Sequence, residues 1–334
     1  MRSILIQATL VMVSFNLLLT LAVIVNRFVM TAIDRRYAAA LTKVRPEVLG
    51  WIDGDDVDLR LEGRERKALT ELLARYGRAM QGEARARLAT LGDELGICQE
   101  VAGGLRSRRG WKRAAAAFRL GDLGAAAISE LIAALSDPDR RVRNAATRSL
   151  GRLEAVEAVE PLVVALAAGR IARAVAGQAL LDIGTAAALK LDMVLSSPDP
   201  QVRAAAAELL GRLAVGHSPI LVAAVEDPNP VVRVAVARAF GRLGTRSAAR
   251  VLPEMLDDPV PYVRAAAATA SADLGLTELV PRLLVMARHD DYVPAAAASR
   301  ALGLLEPSLL LAAESDPNAS PHMIEARDLL EVRR

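Results

Sequence analysis

The chain has 334 residues, 53% of them hydrophobic but only 3% aromatic, and its 42 basic and 39 acidic side chains leave a net charge of +3. A core built of large rings is excluded; alanine and leucine must fill the interior, which favours closely packed helices. So small a charge on so large a body argues against a phosphate-tracking groove, and a single cysteine, Cys98, excludes an internal disulfide and agrees with a reducing compartment.

Residues 1–33 are predicted to be a transmembrane anchor. No charge falls between Ile4 and Val25, and these residues as a helix reach roughly 33 Å, enough to cross the hydrocarbon layer. A secretory signal has a shorter apolar stretch and a small-residue cleavage site, neither of which is present. Only Arg2 precedes the span, whereas Arg27, Arg35, Arg36, Lys43 and Arg45 follow it. This asymmetry predicts a single-pass protein of the inner membrane with its body in the cytoplasm. Thr9, Asn16 and Thr20 share one helical face and are the candidate contact with another intramembrane helix.

Residues 34–104 carry no clear repeat and are expected to form a helical linker and cap. Arg64 to Met80 and Glu83 to Leu95 read as amphipathic helices, with Leu69, Leu72, Leu73 and Tyr76, then Leu88 and Leu91, as apolar stripes. The acidic run from Asp53 to Asp58 is not an EF-hand loop, since Asp58 and Arg64 stand where such a loop needs glycine and glutamate.

From residue 105 to 334 a phrase recurs about every thirty residues, marked by Arg113, Arg143, Arg173, Arg203, Arg233 and Arg264, with Pro294 in the seventh register. Around it stand Val142, Ala145, Ala146, Leu150 and Gly151, and their counterparts Val202, Ala205, Ala206, Leu210 and Gly211. A fixed period of this length means a solenoid whose units bury their apolar faces against one another. Within one unit, an apolar helix from Gly124 to Ser136 is stopped by Asp137-Pro138-Asp139. A second helix then runs from Arg140 to Leu150, with Asp139 as its cap and Gly151 as its expected left-handed end. Each unit is thus a helical hairpin with a proline-bearing turn.

The Asp-Pro-x-x-x-Val-Arg-x-Ala-Ala-x-x-x-Leu-Gly phrase resembles the short bacterial HEAT repeat, the variant called phycobilisome-lyase HEAT-like. The resemblance implies an all-α, right-handed α-solenoid of about seven hairpins behind the transmembrane helix. It also implies a ladder in which turn aspartates and helix arginines pair within or between units, placing Asp137, Asp227 and Asp258 near Arg143, Arg233 and Arg264, with Arg203 at the equivalent position. The pattern breaks at Arg173, where Gly169 replaces the turn aspartate, and at Pro294, where the arginine is missing.

No catalytic constellation appears. His217, His289 and His322 are widely separated, no second cysteine exists, and neither a phosphate-binding glycine loop nor a nucleophile elbow is present. We therefore expect no enzyme activity, no cofactor, no metal and no small-molecule substrate; His289-Asp290-Asp291 reads as a solvated turn. The row expected to face solvent on the second helices, Phe118, Arg148, Gln178, Glu208, Arg238, Thr269 and Ser299, is mixed in charge. Nucleic-acid binding by a helical-repeat protein, an alternative reading, is not expected from such a row. Arg106, Arg108, Arg109 and Lys112, with Trp111, form the one dense basic patch, suited to anionic lipid or an acidic partner.

The expected function is a non-catalytic, membrane-tethered scaffold or accessory subunit. It would touch the lipid bilayer through its span and hold a membrane protein through Phe118, Arg148 and Arg238, aromatic and arginine side chains being common interface centres. Phe240 occupies the core register of Leu150 and Leu210. The resemblance to anchored bacterial repeat proteins implies a polysaccharide-synthesising glycosyltransferase as partner; the repeat subtype alternatively implies a bilin-lyase-like enzyme or chaperone.

Overall fold

The computed structural model describes residues 2–55, 61, 63–80, 82–124, 127–213, 219–244 and 246–332. Among them every regular element is helical, and the chain divides into two compact units, Met1–Glu100 with Asp122–Ala126, and Val101–Gly121 with Ala127–Arg334.

In the first unit, α1 (Arg2–Asp53) is one uninterrupted helix in which two environments succeed each other. Leu17, Leu18, Leu21, Ile24 and Phe28 are exposed, whereas Ala40, Val44 and Val48 are buried. This is one helix long and apolar enough to cross a membrane by length and composition. Its buried half packs on α2 (Arg64–Ala79) and α3 (Gly82–Glu94), which inter alia bury Leu69, Leu72, Leu73, Leu88 and Leu91. Lys43 pairs with Glu65 at 2.7 Å, and the Trp51 indole donates to the Arg87 carbonyl at 3.0 Å. Cys98 is buried in this unit, and burial, aided by Asp93, pushes its thiol up to about 12, which makes it a poor nucleophile. Thr20 is exposed on α1, while the side chains of Thr9 and Asn16 lie outside those described, as do Asp56 and Asp58.

The second unit is a stack of hairpins. After α4 (Ile97–Gly103) and α5 (Gly110–Leu123) come α6 (Ile128–Ala134) with α7 (Arg140–Arg152), α8 (Val159–Ala167) with α9 (Arg173–Ile183), and α10 (Thr185–Val194) with α11 (Pro200–Leu213). The series continues through α12 (Pro219–Ala223) with α13 (Pro230–Leu243), α14 (Arg246–Met255) with α15 (Pro261–Asp273), and α16 (Val280–His289) with α17 (Tyr292–Leu305). A further hairpin, α18 (Pro307–Leu311) with α19 (Pro321–Val332), follows the seventh repeat register. Asp139 and Asn229 cap α7 and α13 by accepting the backbone N–H two residues on, which leaves the proline free to terminate the preceding helix.

The second helices of successive hairpins lie directly against one another, and small residues make this possible. Gly151 is not a left-handed helix end: it sits inside α7, buried, and a Cβ there would stand 2.7 Å from Ala179 Cα. Gly211 meets Ala239 Cα in the same way at 2.7 Å, and Gly241 meets Ala270 Cα at 3.1 Å. The Leu-Gly of the repeat is therefore a contact motif, leucine filling the core and glycine letting two backbones approach. The left-handed residue after α7 is Glu154. Phe240 is fully buried in the hydrophobic core of this unit, as its register implies.

The third hairpin departs from the others. α9 begins only at Arg173, so that arginine stands in its first turn rather than one turn in, and its contact with α11 is slighter than between other neighbours. In the seventh register the first-turn bond runs from the Ala295 N–H to the Asp291 carbonyl, matching Arg264 to Val260 and Arg143 to Asp139. Ala295, not Pro294, thus occupies the arginine position, because the turn before α17 is one residue shorter.

Candidate functional site

Two sets of arginines run along the second unit, one folded into the structure and one facing outward. The inner set starts from the turns. Each turn aspartate accepts a backbone N–H two residues on, Asp137 from Asp139, Asp227 from Asn229 and Asp258 from Val260, all at 2.8 Å. That bond holds the carboxylate beneath the following turn, where the arginine of the preceding hairpin reaches it. Arg113 forks onto Asp137 at 2.7 and 2.8 Å, Arg203 onto Asp227 at 2.7 and 2.9 Å, and Arg233 onto Asp258 at 2.8 and 3.0 Å. Arg264 does the same to Asp290. The remaining nitrogen of each turns back to its own hairpin, donating to the carbonyls of Ser107, Ser197, Asp227 and Asp258.

The carboxylate pairing therefore runs between units, from each arginine to the next turn. Within a unit, Asp137 and Arg143, Asp227 and Arg233, and Asp258 and Arg264 meet through the aspartate's backbone carbonyl instead. Arg143 has no aspartate ahead of it and donates to the Arg170 carbonyl at 2.7 Å; Arg173 leaves the ladder for Glu208. At the far end Arg288, from a first helix, supplies the cation for the turn aspartate Asp316.

These pairs are largely shielded from water, Arg233 and Asp258 showing 12% and 9% of their side-chain surface. The guanidinium of Arg113 is the main reason the Asp137 carboxyl is held below the usual carboxylate range. For Asp227, Asp258 and Asp290 burial pushes upward, but the arginine hydrogen bond and charge, with a backbone N–H, outweigh it and the carboxyl again lies below its ordinary value. His289-Asp290-Asp291 is thus not simply a solvated turn: Asp290 is a ladder member, and Asp291 lies 3.3 Å from the same Arg264. Beside it a cleft of about 590 Å³ is lined by Leu256, Arg282, Met286 and His289 among others. With its carboxylate committed to Arg264, Asp290 is a poor proton acceptor there.

The outer row lies five residues beyond each ladder position. Arg148, Gln178, Arg238 and Thr269 are exposed on α7, α9, α13 and α15, and Glu208 is half-buried against Arg173. Ser299 is fully buried, and the shorter turn brings Arg300 to the surface in its place. Phe118 is 41% exposed; Arg152 lies over its ring at 4.7 Å and donates to its carbonyl at 2.8 Å. Phe118 and Arg148 stand in equivalent registers of adjacent helices, α5 and α7, while Arg238 is three hairpins further along and belongs to a different part of the surface. Arg106, Arg108, Arg109, Trp111 and Lys112 are all exposed at the start of the stack, Lys112 Nζ lying 5.6 Å from the centre of the Trp111 ring. Among the described residues no group of three or more His, Cys, Asp or Glu side chains is placed to hold a metal ion.

Comparison with known proteins is consistent with this architecture. The model of HEAT repeats matches residues 102–181, 188–272 and 218–303. No curated protein matches the chain by sequence. Among solved structures, the complex of CpcE and CpcF of phycocyanin lyase from Nostoc sp. PCC7120 is 24% identical, with a TM-score of 0.31, covering 70% of this chain and 94% of that one. Human deoxyhypusine hydroxylase is 19% identical, with a TM-score of 0.29 over 71% of this chain and 97% of that one. A mutant of Kap121p is 14% identical, with a TM-score of 0.49 over 81% of this chain, which spans 34% of that much longer one.

Proposed function

The chain belongs to the HEAT-repeat family, and from that premise we propose that it is a non-catalytic, membrane-tethered scaffold whose solenoid holds a membrane protein. The observation that carries this reading is α1, which passes without interruption from an exposed apolar stretch into the core of the first unit. A span welded to a folded body confines the body to the membrane plane and raises its effective concentration for a partner there. The ladder consumes the inner arginines and turn carboxylates in holding hairpin to hairpin, so recognition falls to the outer row.

The basic residues after the span orient the body towards the cytoplasm. A reporter fused after Arg334 is expected to be active as a cytoplasmic reporter and silent as an exported one; export of the fusion, or a mature protein lacking residues 1–33, defeats this arrangement.

Phe118 with Arg148 is the part of the row best suited to binding, a half-exposed ring under the Arg152 guanidinium with Arg148 in the equivalent register of the next helix. A membrane-bound, polysaccharide-synthesising glycosyltransferase is the partner to seek first. Purification from native membranes in mild detergent, followed by mass spectrometry, is expected to recover a stoichiometric membrane protein, lost from F118A/R148A while the fold survives. Recovery of pigment proteins points to bilin-lyase chemistry, recovery of DNA to a nucleic-acid role, and either outcome rejects the scaffold.

A further inference from the structure

Five aromatic residues lie between 101 and 334, and three of them share an unusual position. Trp111, Tyr262 and Tyr292 stand in the first turn of α5, α15 and α17, at the turn-bearing edge of the stack. They are 55%, 66% and 70% exposed, where a chain so poor in rings is expected to bury them. Val231 and Val293 stand two residues into α13 and α17 on the same edge and are also exposed.

The charges of this edge are unequal in their freedom. Asp137, Asp139, Asp227, Asp258, Asp290 and Asp291 are each engaged by an arginine. Arg106, Arg108, Arg109, Lys112 and Arg140 form no ion pair among the described residues and are exposed. The edge therefore presents uncompensated cations around Trp111 and amphipathic rings further along.

We propose that this edge lies on the surface of an anionic bilayer, with Arg108, Arg109 and Lys112 on lipid phosphates and Trp111, Tyr262 and Tyr292 at the headgroup boundary. Trp and Tyr with Arg and Lys are the residues that settle at a membrane–water interface, the rings shielding apolar surface while the cations meet anionic headgroups. Lipid fits the edge better than an acidic protein because the cations crowd around one exposed ring, Trp111, while Tyr262 and Tyr292 stand far along the stack in the sixth and seventh hairpins, away from any cluster of cations. The inference rests on the anchored reading, since only a tethered chain works near a bilayer.

The test uses the full chain reconstituted into vesicles of phosphatidylcholine alone or with phosphatidylglycerol added, some of the lipid being brominated near the headgroup end of its chains. The difference in emission between the native chain and W111F isolates Trp111 from Trp51. Trp111 is expected to be quenched several-fold more in anionic than in neutral vesicles, the excess disappearing at high salt and in R108Q/R109Q/K112Q. Equal quenching in both lipids, strong or absent, overturns the proposal. Alkaline extraction separates the two failures: a chain released from the vesicles defeats the anchor itself, whereas a retained chain with composition-blind Trp111 defeats only the docked edge.

Discussion

Replacing Arg233 with alanine is expected to destabilise the second unit by about 3 kcal/mol, because Asp258 would keep its burial and lose the charge that offsets it. Arg233 also holds the Asp227 carbonyl, so the loss is felt in two turns. Arg238, exposed on the outer face of the same helix, is expected to cost no more than about 0.5 kcal/mol when truncated. Thermal melts of the purified chain in detergent compare the two; similar losses for both reject the ladder. The pH dependence has a definite sign. A carboxyl held below its ordinary value stabilises the fold above about pH 4 and loses that contribution as pH falls through its folded value. The gap between native protein and R233A is therefore expected to be widest near neutrality and to shrink in acid.

Alanine at Gly211 or Gly77 is expected to cost nearly as much, although it adds a single methyl group. At Gly211 the new carbon meets the Ala239 backbone at 2.7 Å, and at Gly77 it runs into the Asp122 carbonyl oxygen. Neither obstacle is a flexible side-chain tip, so helices must part, at about 2–3 kcal/mol. Gly244, left-handed and with open space around it, is the control in which strain comes from the backbone angle alone. If G211A melts with the native protein, the helices do not pack as closely as described.

The hairpins were legible because their punctuation is chemical: proline ends one helix, and aspartate or asparagine starts the next. What escaped the sequence is what depends on the third dimension. Gly151 next to a helix end reads as a cap, and only the facing Ala179 reveals it as a contact. Asp290 was hidden by the shortened turn that follows it, which breaks the six-residue spacing seen at Asp137–Arg143, Asp227–Arg233 and Asp258–Arg264. The same slip buries Ser299 and exposes Arg300. Asp316 was unreadable for a different reason: its arginine comes from a first helix, at no repeat position. The exposed members of the outer row, facing solvent, left little in the sequence beyond Phe118 to distinguish one part from another.

Because each ladder arginine grips the hairpin after it, the stack behaves like a zipper with its teeth missing in one place. Arg203, Arg233, Arg264 and Arg288 link the turns from α11 to α19 without a break. Between α7 and α11, however, Arg143 reaches only a carbonyl of the next hairpin, and Arg173, 60% exposed, turns to the half-buried Glu208. In a one-dimensional array, cooperativity is set link by link. The hairpins after this seam are expected to open as one block and those before it as another, which hydrogen exchange would show as two levels of protection divided between α7 and α11.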